Sequence, residues 1–162
     1  MSNGLAQSLP FYVALGVTLC LTATLAVISA IDLKTLRIPD ALSFLLIGSG
    51  LALAFTVPEV SAVDHLIGAI AAFALFAGLG EGYFRLRGVD GLGLGDAKLF
   101  AAAGAWLGWQ NLPVVLLIAT LGGLLQAVVL RTGRAAPLAF GPWIAAGFWS
   151  VWVWTGWRDL IG

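Results

Sequence analysis

Six apolar runs divide the chain, each set off from the next by a short step of polar residues, glycine or proline. The first reaches from about Pro10 to Ile31. The second covers about Ala41 to Val57 and is closed by Pro58. The third runs from about Val63 to Gly80 and opens on Ser61-Ala62-Val63-Asp64, the spacing of a capping box. A glycine-rich step, Gly91-Leu92-Gly93-Leu94-Gly95-Asp96, leads into the fourth, from Asp96 to about Trp109. The fifth spans Leu112 to Leu130 and the sixth Pro142 to about Trp157. A helix needs about 20 apolar residues to cross a bilayer. The pattern therefore predicts an all-α integral membrane protein with about six transmembrane helices and a glycine-rich dip before the fourth. The first run is read as a retained helix: no Lys or Arg precedes it, and its length exceeds the roughly 7–15 apolar residues of a signal peptide.

Composition supports a bilayer as the solvent. Of 162 residues, 60% are apolar and 10% charged, where soluble domains average about 25% charged; the mean hydropathy is +1.01. Six spans and their loops fill the length, so residues 1–162 are expected to form a single polytopic membrane domain. The net charge is zero and the few basic residues are scattered, which argues against a nucleic-acid partner. Cys20 is the one cysteine, so neither an intrachain disulfide nor a cysteine-rich metal site can form. No metal and no cofactor is expected.

Basic residues fix the expected orientation. The first, third and fifth loops hold Lys34, Arg37, Arg85, Arg87, Arg131 and Arg134, with Lys98 beside the third; only Arg158 lies on the opposite face. By the positive-inside rule these loops are cytoplasmic and both termini are outside. Trp106, Trp109, Trp152, Trp154 and Trp157 then fall at outer helix ends and read as interface anchors.

Two carboxylates carry the candidate chemistry. Asp32 ends the first span and Asp96 begins the fourth, so the topology places both on the cytoplasmic side. Ionisable groups in membrane segments are costly and mark function. Counting back from Trp109 at 1.5 Å per residue places Asp96 about 10 Å beneath the cytoplasmic surface of a core about 30 Å thick, while Asp32 is expected at the surface. Irregular glycine-rich backbone at that depth has to be buried in protein or line a wet cavity. Two carboxyls sharing one proton can hydrolyse a peptide: the ionised one takes a proton from water, and the neutral one donates a hydrogen bond to the scissile carbonyl. Helix dipoles suggest Asp96, at a helix start, as base and Asp32, at a helix end, as acid. His65, the only histidine, lies across the membrane from both and reads as structural.

The surrounding residues carry a resemblance. Ile31-Asp32-Leu33-Lys34-Thr35-Leu36-Arg37-Ile38-Pro39-Asp40 resembles the first aspartate region of type IV prepilin peptidases. Gly93-Leu94-Gly95-Asp96-Ala97-Lys98-Leu99, with Gly104-Ala105-Trp106-Leu107-Gly108, resembles the second, and Phe140-Gly141-Pro142 a late motif, with Ala139 where proline is common. The resemblance covers residues 10 to 157. It implies an intramembrane aspartic leader peptidase with Asp32 and Asp96 catalytic and Gly93, Gly95 and Lys98 binding substrate or shaping the site. Its protein substrate would be a type IV prepilin or pseudopilin precursor, cut after a glycine at the cytoplasmic face of the bacterial inner membrane. Relatives with N-methyltransferase activity carry a zinc-binding segment with paired cysteines; a single cysteine cannot supply four ligands, so methyl transfer is not expected.

Two other classes use similar features. A small carboxylate-using transporter or channel would place acidic or polar residues in both membrane halves and show an internal repeat; the outer halves hold almost no ionisable residue, and no repeat is seen. A non-catalytic scaffold would tolerate loss of an aspartate, and both are present. Presenilin-like enzymes share a glycine-and-aspartate motif but imply nine spans; the archaeal preflagellin branch is a closer alternative. The substrate system and the oligomeric state are open at this level. Gly104 with Gly108, and Gly78 with Gly82, have the small-xxx-small spacing of helix packing.

Overall fold

A computed structural model describes residues 10–58, 60–87, 93–129 and 139–161. Among them six α-helices follow one another: α1 (Phe11–Thr35), α2 (Asp40–Thr56), α3 (Ala62–Arg87), α4 (Leu94–Leu107), α5 (Leu112–Val129) and α6 (Gly141–Ile161), with a 3-10 turn, Trp109–Asn111, between α4 and α5. There is no strand among the described residues, and the protein is an all-α membrane protein. Three stretches are long and apolar enough to cross a membrane on length and composition alone: Phe11–Thr35, Ala62–Leu86 and Trp109–Val129; Asp40–Thr56 is apolar but shorter.

The helix centres fall where the apolar runs do, and several ends do not. α1 continues four residues past Ile31, so Asp32 lies inside the helix. α3 continues seven residues past Gly80, because polar Glu81, Gly82 and Arg85 extend it beyond its apolar stretch, with a Glu81–Arg85 pair one turn apart. Of the expected glycine-rich dip, Gly91 and Leu92 lie outside the described residues, as do the basic loop positions Arg131 and Arg134. Gly93 is extended (φ −74°, ψ 146°) and Gly95 is already helical, so the irregular backbone lies upstream of Leu94.

α4 is the axis of the molecule. It packs against α2, α3, α5 and α6, while α1 leans on α6. Its fourteen residues span about 21 Å, short for a bilayer, and Leu99 through Leu107 are all buried. A helix surrounded by protein needs small residues for neighbours to approach, and α4 supplies Ala97, Ala101, Ala102, Ala103, Gly104 and Ala105. At its closest crossing the backbone of Gly104 meets that of Gly68 on α3; a Cβ on Gly68 would stand 2.7 Å from the Gly104 carbonyl oxygen. Gly108, the other half of the expected pair, ends the helix instead: its φ of 74° suits glycine, and its N–H closes on the Gly104 carbonyl. Gly78 and Gly82 meet nothing within 4 Å among the described residues, so that pair packs no helix.

Large apolar side chains such as Leu19, Leu45, Phe55, Ile70 and Leu124 cover the outside, the surface expected where lipid is the solvent. Two of the five tryptophans expected at the interface are in the core. Trp106 is 4% exposed and Trp152 1%, because each indole N–H finds an acceptor on a neighbouring helix: the Leu46 carbonyl at 2.7 Å and the Thr18 hydroxyl at 3.0 Å. Trp109 and Trp154 are exposed, as anchors are; the Trp157 side chain lies outside the described atoms. Between α1 and α2 is an apolar cavity of about 730 Å³, lined by Gly16, Cys20, Thr24, Ser49 and Leu53. Neither aspartate lines it.

Candidate active site

Alternating helix directions collect the C-terminal ends of α1 and α3 and the N-terminal ends of α2, α4 and α6 at one end of the bundle. The contacts there are long-range in sequence: Asp32 with Gly141, Ile38 with Gly95, Asp40 with Lys98, and Phe76 stacked on both Phe100 (4.3 Å between ring centres) and Phe140 (6.4 Å). Both aspartates are at this end.

Asp32 is 4% exposed, three residues before the end of α1. Its Oδ2 accepts a hydrogen bond of 3.0 Å from the backbone N–H of Gly141, the first residue of α6. Free N–H groups at a helix start favour a carboxylate, and one of them is aimed at this one. A Cβ on Gly141 would stand 2.7 Å from that oxygen, so only glycine lets the N–H approach. Asp96 is half-buried in the first turn of α4. It stands three residues after the N-cap, Gly93, and its carboxylate lies beside the Gly93 backbone, its Oδ2 3.6 Å from where a Gly93 Cβ would be. Asp32 lies within Coulombic reach of Asp96. The two carboxylates thus lie at the same end of the bundle, close enough to act on each other. Asp32, expected at the surface, is covered within the protein by the start of α6. Asp32 at the end of α1 also faces the start of α6, so two helix dipoles act on it in opposite directions.

The other site residues are distributed around the pair. Gly93 caps α4 under Asp96. Gly95 faces the loop between α1 and α2, where a Cβ would stand 3.0 Å from Ile38 Cβ. Lys98 is directed away from the aspartates: its Nζ donates to Asp40 Oδ1 at 2.6 Å and lies 5.5 Å from the centre of the Phe44 ring. The Lys98–Asp40 pair ties α2 to α4. Two contributors, Gly141 and Ile38, stood within motifs read from the sequence yet carried no assigned role, because each acts through a partner distant in sequence.

His65 is structural. It is buried at the opposite end, its Nδ1 3.0 Å from the Ala105 carbonyl. Beside it the Asp64 N–H meets Ser61 Oγ at 3.4 Å, one half of the expected capping box, while the Asp64 carboxylate accepts from Trp109 Nε1 (3.2 Å) and Gln110 Nε2 (2.9 Å). Among the described residues no three His, Cys, Asp or Glu side chains gather to hold a metal ion.

A buried and a half-buried carboxylate from separate helices, within Coulombic reach of each other, form an arrangement suited to shared-proton hydrolysis. The chain is 43% identical over 138 residues to a prepilin leader peptidase/N-methyltransferase of Pectobacterium carotovorum subsp. carotovorum, covering 83% of this chain and 50% of that one. It is 40% identical over 137 residues to the protein of that name in Escherichia coli (strain K12), covering 83% and 60%. It is 41% identical over 131 residues to that of Burkholderia pseudomallei (strain K96243), covering 78% and 42%. The chain spans about half the length of the curated relatives it matches. No solved structure matches it. Residues 19–128 match the model of the type IV leader peptidase family, a stretch that holds both aspartates, and the chain belongs to that family.

Proposed function

We propose that the protein is an intramembrane aspartic endopeptidase that removes the basic leader from type IV prepilin or pseudopilin precursors at the cytoplasmic face of the bacterial inner membrane. The observation that carries this reading is that Asp32 and Asp96 lie at one end of the bundle within Coulombic reach of each other, Asp32 on the Gly141 N–H. In the reaction, one ionised carboxylate removes a proton from water as the oxygen adds to the scissile carbonyl. The neutral partner donates a hydrogen bond to the carbonyl oxygen and stabilises the tetrahedral intermediate. Collapse breaks the C–N bond, and the departing amine takes up a proton held by the pair. The relatives' names support leader removal from prepilins. They also name N-methyl transfer; here we propose the peptidase step alone, the one that two carboxylates can carry out.

Co-expression with candidate prepilins tests the reading. Loss of the leader is expected as a mobility shift in the presence of the wild-type protein. Asp32→Asn and Asp96→Asn should each abolish the shift, by at least about 10³-fold in rate, while still accumulating in the membrane. Cleavage at the wild-type rate by either variant would overturn the aspartic mechanism.

A further inference from the structure

The loop between α1 and α2 is four residues long, Leu36 to Pro39, and one of them is buried. Ile38 is 8% exposed, while its neighbours Arg37 and Asp40 face outward. Burial of one side chain in a short, otherwise largely exposed connection requires the backbone to turn it inward. Leu36 does this by adopting a left-handed conformation (φ 53°, ψ 35°), uncommon for a branched residue, with its N–H bonded to the Asp32 carbonyl at 2.8 Å. The far end is fixed as well. The first residue of α2, Asp40, is paired with Lys98, and Ser43 closes the first turn on the Pro39 carbonyl.

Held at both ends, the loop presents Ile38 to two glycines. Its Cβ lies 3.0 Å from where a Gly95 Cβ would be, and its Cδ1 lies 3.0 Å from where a Gly141 Cβ would be. Each glycine is bound to one member of the aspartate pair. Gly95 directly precedes Asp96, and Gly141 holds Asp32 Oδ2 through its N–H. The Ile38 side chain therefore fills the space between the two backbone segments that carry the carboxylates.

We propose that Ile38 is a positioning residue for the reaction, a spacer that sets the separation of Asp32 and Asp96. The inference rests on the peptidase reading above and extends it to a residue that touches neither the water nor the scissile bond. Close-packed interiors transmit displacements because they lack free volume, and two carboxyls can share a proton and a water only over a narrow range of separations. An isoleucine with no room on either side fixes that range. Shortening the side chain leaves a gap into which the starts of α4 and α6 can settle, carrying the aspartates with them.

The test uses the full chain in lipid vesicles and a synthetic precursor with a short basic leader ending in glycine before an apolar helix. Ile38→Ala is expected to lower kcat about 10²-fold, the effect of a displacement near 1 Å, with KM within twofold of wild type. Ile38→Val, which lacks only Cδ1, should fall between. Ile38→Leu, of equal volume, should recover kcat to within about fivefold. Turnover is expressed per folded molecule, from the amount that survives a thermal step. A residue needed only for folding would change the amount and leave kcat per molecule unchanged. Wild-type kcat in Ile38→Ala overturns the spacer, and so do equal losses in the Ala and Leu variants. If Ile38→Ala fails to accumulate, the Val and Leu variants decide by the same comparison. A wild-type protein that leaves the precursor intact, or Asp→Asn variants that cleave it, overturns the peptidase reading and the spacer with it. Cleavage that depends on both aspartates but not on Ile38 removes the spacer alone.

Discussion

Gly141 and Gly93 each lie against one of the two carboxylates and differ in the room around them. A methyl group on Gly141 would stand 2.7 Å from Asp32 Oδ2 and 3.0 Å from Ile38 Cδ1. Gly141→Ala therefore has to displace the aspartate or the start of α6, although it keeps the N–H. A fall in kcat of about 10²-fold is expected, with insertion and accumulation retained. A methyl group on Gly93 would stand 3.6 Å from Asp96 Oδ2, an ordinary contact, at a φ of −74° open to any residue. Gly93→Ala should stay within about threefold of wild type. The same cleavage assay on both variants checks the contrast; equal effects would mean that the space at Gly141 is not limiting. The aspartates themselves were legible in the sequence, because charge in apolar surroundings is conspicuous. Ile38 and Gly141 were not, since an isoleucine or a glycine in an apolar chain is ordinary until its partner, 109 positions away for Asp32 and Gly141, is known.

Helix α4 shows why spacing alone misjudges packing between elements. Gly104 lies against Gly68 on α3, where an added Cβ would meet backbone that cannot rotate aside. Gly104→Ala should lower stability by at least about 1–3 kcal/mol, the usual result of overpacking, measured as a drop in the thermal midpoint in detergent. Gly78 and Gly82 have the same spacing on α3, yet no helix meets them among the described residues. There, Gly→Ala should leave the midpoint unchanged or raise stability by about 0.5–1 kcal/mol through helix propensity. A small-xxx-small pair indicates where a neighbour can approach; whether one does depends on the whole arrangement. The tryptophans make a similar point. Trp109 and Trp106 stood together near one helix end in the sequence, but the Leu46 carbonyl gives the Trp106 N–H a partner and the ring enters the core, against Trp152 at 5.2 Å. Helix number and centres followed from apolar runs. Helix ends did not, because polar residues such as Glu81 and Arg85 extend a helix by hydrogen bonding one turn apart, outside any apolar pattern.

For the whole molecule, the bundle fixes which helix ends share a face, but not which face meets the cytoplasm. Asp32, Asp96, Lys34, Lys98, Arg37 and Arg85 are near the ends of their helices on one side, and Asp64, His65, Trp109 and Asn111 are on the other. Seven of the eight basic residues belong to the aspartate side by sequence, and basic loops are retained in the cytoplasm. The aspartate face is therefore expected to be cytoplasmic, where a leader peptide emerges. Single cysteines placed in a Cys20→Ala background test this with impermeant thiol reagents, applied to intact cells and to inverted membrane vesicles. Arg37→Cys, in the exposed loop after α1, should react only in inverted vesicles, as should Arg87→Cys and Thr132→Cys. Asn111→Cys, in the turn after α4, and Glu59→Cys, between α2 and α3, should react in intact cells. The reversed pattern would place the aspartates on the outer face, and cytoplasmic leader removal would have to be abandoned. A mixed pattern, with Arg37→Cys and Thr132→Cys on opposite sides, would contradict the fold, because Gly141 and Asp32 meet only if the starts of α2 and α6 share one side.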